Sequence, residues 1–303
     1  MFKTLRFVLA LLLGALALPL LSVSLAGGTT KPQCVVSLSP TATETLFAIG
    51  AGAQVQAVDT DSDYPATGLP SKRINAFNPS VEAILGICKS SPSHPSTKPD
   101  LVVISYDANS IQQKLTSQGV KVVDQDAATS VNNALSQIRQ LGALTGHVTK
   151  ADALASSLKT TITADIKSIP SHPKKKLTVY YETGTNPYYS LTSQTFVGSL
   201  MKSLGLVNIA DADSTTADAG YPELSAEYII SANPKLIILA GTATPASVAK
   251  RPGFSKVSAV KNHNVIELNA DISSRWGPRL GLLMNQLTAV VKATLNESKL
   301  WKK

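Results

Sequence analysis

Charge, aromatic rings and sulfur are all scarce in this sequence, and each shortage removes a class of function. Charged residues make up 16% of the 303, and the net charge of +8 is dispersed. The only dense basic runs are Lys174, Lys175 and Lys176, and the tail Lys302 and Lys303. A nucleic-acid surface clusters its cations on one face with aromatics between them. No such run is present, so nucleic acid is not an expected partner. Histidine is limited to His94, His147, His172 and His263, and none stands three or four residues from another His, Cys or suitable acid on a helical stretch. Zinc chemistry therefore lacks ligands at binding spacing. There is no G-x-S-x-G elbow and no P-loop, and "AIGAGA" closes a helix instead of opening one after a strand. An intrinsic cofactor and a catalytic role are not expected. With 44% hydrophobic residues the chain can build a packed core.

Only one stretch is long and apolar. "MFKTLRFVLALLLGALALPLLSVSLA" sets Lys3 and Arg6 before an apolar run that ends in Ser24-Leu25-Ala26. Charged, apolar, then small is the order of a secretory signal, with cleavage after Ala26. The run also spans about 20 residues, the length of a membrane anchor, so retention by an uncleaved segment is the alternative. Cys34 follows "TTKPQ", which lacks the small residue and leucine of a lipoprotein signal. The two cysteines, Cys34 and Cys88, are an even number in an exported chain and suggest one disulfide; two free buried thiols are the alternative.

The remaining sequence is written twice. "SVEAIL" is followed by "KPDLVVIS", and "SAEYII" by "NPKLIILAG". Each β-branched run after a proline-led turn suits a strand buried on both faces of a parallel sheet. The first copy carries an insertion, "GICKSSPSHPST", with the Ser and Pro content of a surface loop. Upstream, "CVVSLSP" and "KLTVYYETG" read as strands, followed by the helices "TATETLFAIGAG" and "TFVGSLMKSLGL". Strand, helix, strand in two copies implies two α/β lobes with parallel-rich sheets. Between them, Leu154, Leu158, Ile162 and Ile166 repeat at helical spacing, with no Gly/Ser linker. The expected division is a signal at 1–26, a first lobe at 34–130, a helical bridge at 131–170 and a second lobe at 171–298.

"VVSLSPTATETLFAIGAG", "SDYP", "NPSVEAIL", "KPDLVV", "LGALTG" and "NPKLIIL" together resemble the periplasmic binding proteins that serve ABC importers of cobalamin, iron siderophores and haem. The resemblance runs from about Val35 to Leu295. "SDYP" and "YPELSAE" are most similar to the cobalamin-binding branch. It implies two Rossmann-like lobes bridged by one long rigid helix, with a ligand in the cleft at the carboxyl ends of the strands. It implies a monomer that delivers its ligand, cobalamin or an iron chelate, to a permease dimer. It also implies that one glutamate on each lobe docks to permease arginines, and Glu82 and Glu227 match those positions. The other reading of these acids is that each stabilises a helix start after Ser80 or Ser225.

Cleft candidates follow from placement near strand ends: Pro40 and Thr41 after the first strand, then Tyr64, Phe77, Tyr106, Tyr188, Tyr189 and Tyr221. Phe, Tyr and Trp are only 5% of the chain, and rings suit a large flat ligand. Ordinary packing is the competing explanation for each. Tyr221 falls six residues before Glu227, where the cobalamin branch carries Trp; Phe77 falls five before Glu82 and departs from that spacing. "SSRWGPRLG" opens the last helix with a Gly-Pro-Arg that resembles the family. Arg275 and Trp276 are expected to face the cleft, with a plain surface position as the alternative for the arginine. Cys34 precedes the first strand and Cys88 the "DLVVIS" strand, so both are expected at the amino-terminal sheet edge, away from the ligand.

Overall fold

The computed structural model of the chain describes residues 31–90, 96–170, 176–213 and 219–297. The expected signal segment, the Lys302–Lys303 tail, His94 and His172 lie outside them. Among the described residues, no helix is long and apolar enough to cross a membrane.

The first half runs β1 (Val35–Leu38), α1 (Pro40–Ala48), β2 (Val55–Asp59), β3 (Arg73–Ile74), α2 (Val81–Leu85), β4 (Leu101–Ile104), α3 (Ile111–Thr116) and β5 (Lys121–Asp124). Its five strands pair in the order β3-β2-β1-β4-β5, all parallel. Alternation along the strands separates two cores. Val35, Leu101 and Val103 face one way, with Leu46 and Ile49 of α1 and its flank. Val36, Leu38, Val102 and Ile104 face the other, against Ile84 and Leu115. Burial on both faces is why these strands read as unbroken apolar runs.

A helical pair follows: α4 (Val131–Thr145) and α5 (Val148–Lys167). Ser130 caps α4, and Gly146 ends it at φ 75°, a left-handed position that costs glycine nothing. The bridge is thus two helices folded back on each other, with α5 as the long one. Its early residues Ala151, Ala155 and Leu158 pack in the first lobe, and Ile162 and Ile166 pack in the second. A 20-residue helix is about 30 Å long, enough to run through both cores.

The second half runs β6 (Leu177–Glu182), β7 (Tyr188–Tyr189), α6 (Phe196–Ser203), β8 (Leu206–Asn208), β9 (Glu223–Leu224), α7 (Ala226–Ala232), β10 (Leu236–Leu239), α8 (Pro245–Ala249), α9 (Ser258–Lys261), β11 (Val265–Glu267), α10 (Ala270–Ser273) and α11 (Leu280–Glu297). A parallel sheet is ordered β11-β10-β6-β8, and β7 pairs antiparallel with β9. Val179, Tyr181, Leu236 and Ile238 pack against α11, while Tyr180, Ile237 and Leu239 pack against Phe254 and Val248.

Cys34 and Cys88 are bonded, with their Cα atoms 6.2 Å apart. Cys34 lies just ahead of β1, at the amino-terminal edge of the sheet. The Asp100 carboxylate accepts from the backbone N–H groups of Gln33 and Cys34 at 2.8 and 3.1 Å, tying down the same edge. A sulfur in a disulfide cannot also carry a lipid thioether.

Candidate functional site

Loops at the carboxyl ends of the strands of both sheets converge on a cleft. On the first-lobe side, a cavity of about 170 Å³ is walled by Pro40 and Thr41 after β1, Asp59 and Asp61 at the end of β2, Phe77 after β3 and Tyr106 after β4. On the second-lobe side, one of about 350 Å³ is walled by Tyr181 and Thr183 of the β6 end, Leu191, Phe196, Tyr221 and Asp271. Ser274, Arg275 and Trp276 belong to both walls, so the two cavities meet across this segment. Crevices outside strand carboxyl ends are where open parallel sheets leave room for ligands.

Seven of the ten sequence-selected cleft residues come together here: Pro40, Thr41, Phe77, Tyr106, Tyr221, Arg275 and Trp276. Phe77, Tyr106 and Tyr221 are 69%, 63% and 53% exposed, far above what packing alone would leave on large rings. The other three stand elsewhere. Tyr188 alternates inward on its two-residue strand, where it packs on Phe254 with ring centroids 5.9 Å apart and lies under the Arg251 guanidinium. Tyr189 points out of the same ribbon, and Tyr64 stacks on Arg279 at 4.5 Å. Neither lines the two cavities. Tyr188 is half-buried against the second-lobe core, because alternation on a strand sends neighbouring tyrosines to opposite sides.

Arg275 is the one cation among the described residues lining the two cavities, against the carboxylates of Asp59, Asp61 and Asp271. Its Nη1 donates to Ser274 Oγ at 2.7 Å; carboxylates of Asp271 and Glu44 lie 3.8 and 3.9 Å away, too far for hydrogen bonds. Its Nε is buried with no hydrogen-bond partner in the protein. Its Nη2 also donates weakly to the Asp61 carbonyl oxygen at 3.5 Å, and each Nη atom carries a second hydrogen beyond these bonds. Asp59 accepts from the Asp61 N–H at 2.8 Å and the Ser62 hydroxyl, and burial pushes its carboxyl above the usual range. Burial also pushes the Tyr181 phenol up to about 12, keeping it neutral in the cavity wall.

Sequence reading missed the acids. Asp59 closes β2, Asp61 follows it and Asp271 lies in α10, each within five residues of a chosen aromatic. Glu44 lies on a buried face of α1, 2% exposed, where it binds Arg279. An acid among Thr41, Ala42, Thr45 and Leu46 on an inward face is a detectable signal, because burying a charge demands a partner. Glu182 is also buried, gripped by both Nη atoms of Arg251 at 2.6 and 2.7 Å, and holds the β6 end rigid.

Glu82 and Glu227 are both exposed, each the second residue of a helix. The serines do the capping: Ser80 Oγ accepts from Ala83 N–H and Ser225 Oγ from Tyr228 N–H, both at 3.1 Å. Ser80 Oγ also donates to a Glu82 carboxylate oxygen at 3.1 Å. Each acid follows a cleft aromatic by a few residues, Phe77 in one lobe and Tyr221 in the other.

Two α/β lobes joined by a helical bridge, with a ring-lined cleft between them, define a solute-receptor architecture. The chain belongs to the periplasmic binding protein family, whose model matches residues 35–272. It is 30% identical over 82% of its length to the ABC transporter substrate-binding lipoprotein YvrC of Bacillus subtilis, covering 77% of that protein. It is 29% identical over 84% of its length to the vitamin B12-binding protein of Pectobacterium atrosepticum, covering 87% of it. The solved structure of a possible iron-binding periplasmic solute-binding protein from Staphylococcus epidermidis superposes with a TM-score of 0.72 at 29% identity. That match covers 86% of this chain and 99% of the other.

Proposed function

We propose that this protein is an exported receptor that binds a corrinoid of the cobalamin type and delivers it to an ABC importer. The observation that carries the corrinoid is the chemistry of the cleft. Three exposed rings, Phe77, Tyr106 and Tyr221, offer flat apolar area, and the described lining holds three carboxylates to one guanidinium. An anionic ferric catecholate or a haem with two propionates would meet like charge at this lining, which disfavours binding there. An amide-fringed corrin ring is not repelled, and its carbonyls suit the spare donors of Arg275. The protein binds and releases without catalysis, as a monomer outside the cytoplasmic membrane, either free after signal cleavage or held by the uncleaved N-terminal segment. Glu82 and Glu227 meet arginines on the two permease subunits, two separated charge contacts that set orientation as well as attraction.

The second reading, a ferric siderophore or haem receptor, is favoured by the likeness to the possible iron-binding protein of Staphylococcus epidermidis. Separate calorimetric titrations with cyanocobalamin, a ferric catecholate and haemin test the choice. Saturable binding of cyanocobalamin alone supports the proposal. Tight binding of either iron ligand without cyanocobalamin binding overturns it.

A further inference from the structure

Residues 274–279 follow the second-lobe sheet in sequence, yet they contact both the first lobe and α4 of the bridge. Arg279 grips Glu44 of α1 through two hydrogen bonds, one from Nε to Oε2 at 2.9 Å and one from Nη2 to Oε1, while Tyr64 lies under its guanidinium. The Trp276 indole N–H donates to Gln137 Oε1 of α4 at 2.7 Å. Gly277 runs so close to α1 that a Cβ there would stand 3.2 Å from both the Thr41 methyl and the Thr41 carbonyl oxygen. The same segment supplies Arg275 and Trp276, the wall common to both cavities. Few of these contacts are replaceable by solvent, since Glu44 is 2% exposed and Arg279's side chain 12%.

We infer that Glu44 is a positioning residue for the ligand cleft. Through Arg279 it straps residues 274–279 across the lobe boundary and so holds Arg275 and Trp276 where a ligand meets them. The bidentate fork supplies direction as well as attraction. Glu44 itself lines neither cavity. Its effect on binding is therefore indirect, and it rests on the cleft being the ligand site as proposed above.

Trp276 reports the strap directly, because the only other tryptophan is Trp301. In a Trp301→Phe background, emission and acrylamide quenching of Trp276 are compared for the parent, Glu44→Gln, Arg279→Lys and Gly277→Ala, with far-UV circular dichroism as the folding control and cyanocobalamin as the probe ligand. The expected result for Glu44→Gln is a red-shifted, more quenchable Trp276, unchanged secondary structure and cyanocobalamin binding weaker by about ten-fold or more. Arg279→Lys keeps the charge without the fork and falls between. If Glu44→Gln does not fold, the other two variants are read by the same criterion. Folded variants that lose thermal stability but keep the parent's Trp276 emission and affinity reduce the pair to structure alone and overturn the inference. A parent that binds no cyanocobalamin refutes the corrinoid reading, while the tryptophan readout still decides whether the strap is pinned.

Discussion

Replacing Tyr221 by alanine isolates the contribution of one ring to binding. The residue is 53% exposed at the lip of the larger cavity. A tyrosine carries roughly 200 Å² of surface, so about 100 Å² remains for a ligand to cover. At about 25 cal/mol per Å² this corresponds to ~2.5 kcal/mol before ordering costs, which leaves ~1–2 kcal/mol. Affinity should fall between about five-fold and 30-fold. Because half the ring already faces water, folding should lose far less than the binding does. Calorimetric titration with cyanocobalamin measures the first quantity and urea unfolding the second. Tyr221→Phe keeps the ring and should retain most of the affinity. Phe77→Ala, on the opposite lip, should add its own loss nearly independently, because the two rings share no contact. Unchanged affinity in a folded Tyr221→Ala protein would refute the stacking argument. An equal loss in Tyr221→Phe and Tyr221→Ala would show that the hydroxyl, not the ring, is what binds.

Other perturbations test separate parts of the account. Reducing the Cys34–Cys88 bond, or replacing both by serine, should lower stability by ~2–4 kcal/mol in urea unfolding while leaving ligand affinity intact, since the bond closes the amino-terminal edge opposite the cleft. Glu82→Lys and Glu227→Lys should each weaken binding to permease in membranes and leave cyanocobalamin affinity unchanged; the remaining docking should be less salt-sensitive, and the double variant should not support uptake. Asp59 carries a carboxyl raised above 3.8 by burial, so the folded protein holds that proton to higher pH than the unfolded chain. Its contribution to stability is full below 3.8 and is lost as pH rises through the raised value, so wild type should lose stability relative to Asp59→Asn across that window and run parallel above it. A pH series of urea unfolding that keeps the two proteins parallel throughout contradicts this.

Much of the architecture was legible because it depends on local pattern. The apolar runs at Leu101–Ile104 and Leu236–Leu239 could only be strands covered on both faces, and their repetition announced two lobes. The serine caps at Ser80 and Ser225 were equally plain, since an N-cap and its target lie three residues apart. What stayed hidden required partners distant in sequence. Glu44 meets Arg279 across 235 positions, and Glu182 meets Arg251 across 69. Nothing in either neighbourhood names the other residue. Tyr188 and Tyr189 needed distant information too: a pair of rings after a strand looks like one surface until the pairing of β7 with β9 decides which ring turns inward. Ligand identity was least legible, because a fold is shared by receptors of different ligands and does not itself name one.

Competition tests the central claim most directly. The protein is incubated with equimolar cyanocobalamin, haemin and a ferric catecholate, freed of unbound ligand by gel filtration, and its visible spectrum is recorded. The account predicts a corrinoid spectrum at one chromophore per chain, lost when Phe77 and Tyr221 are both replaced by alanine. A haem or ferric catecholate spectrum at that stoichiometry would contradict it.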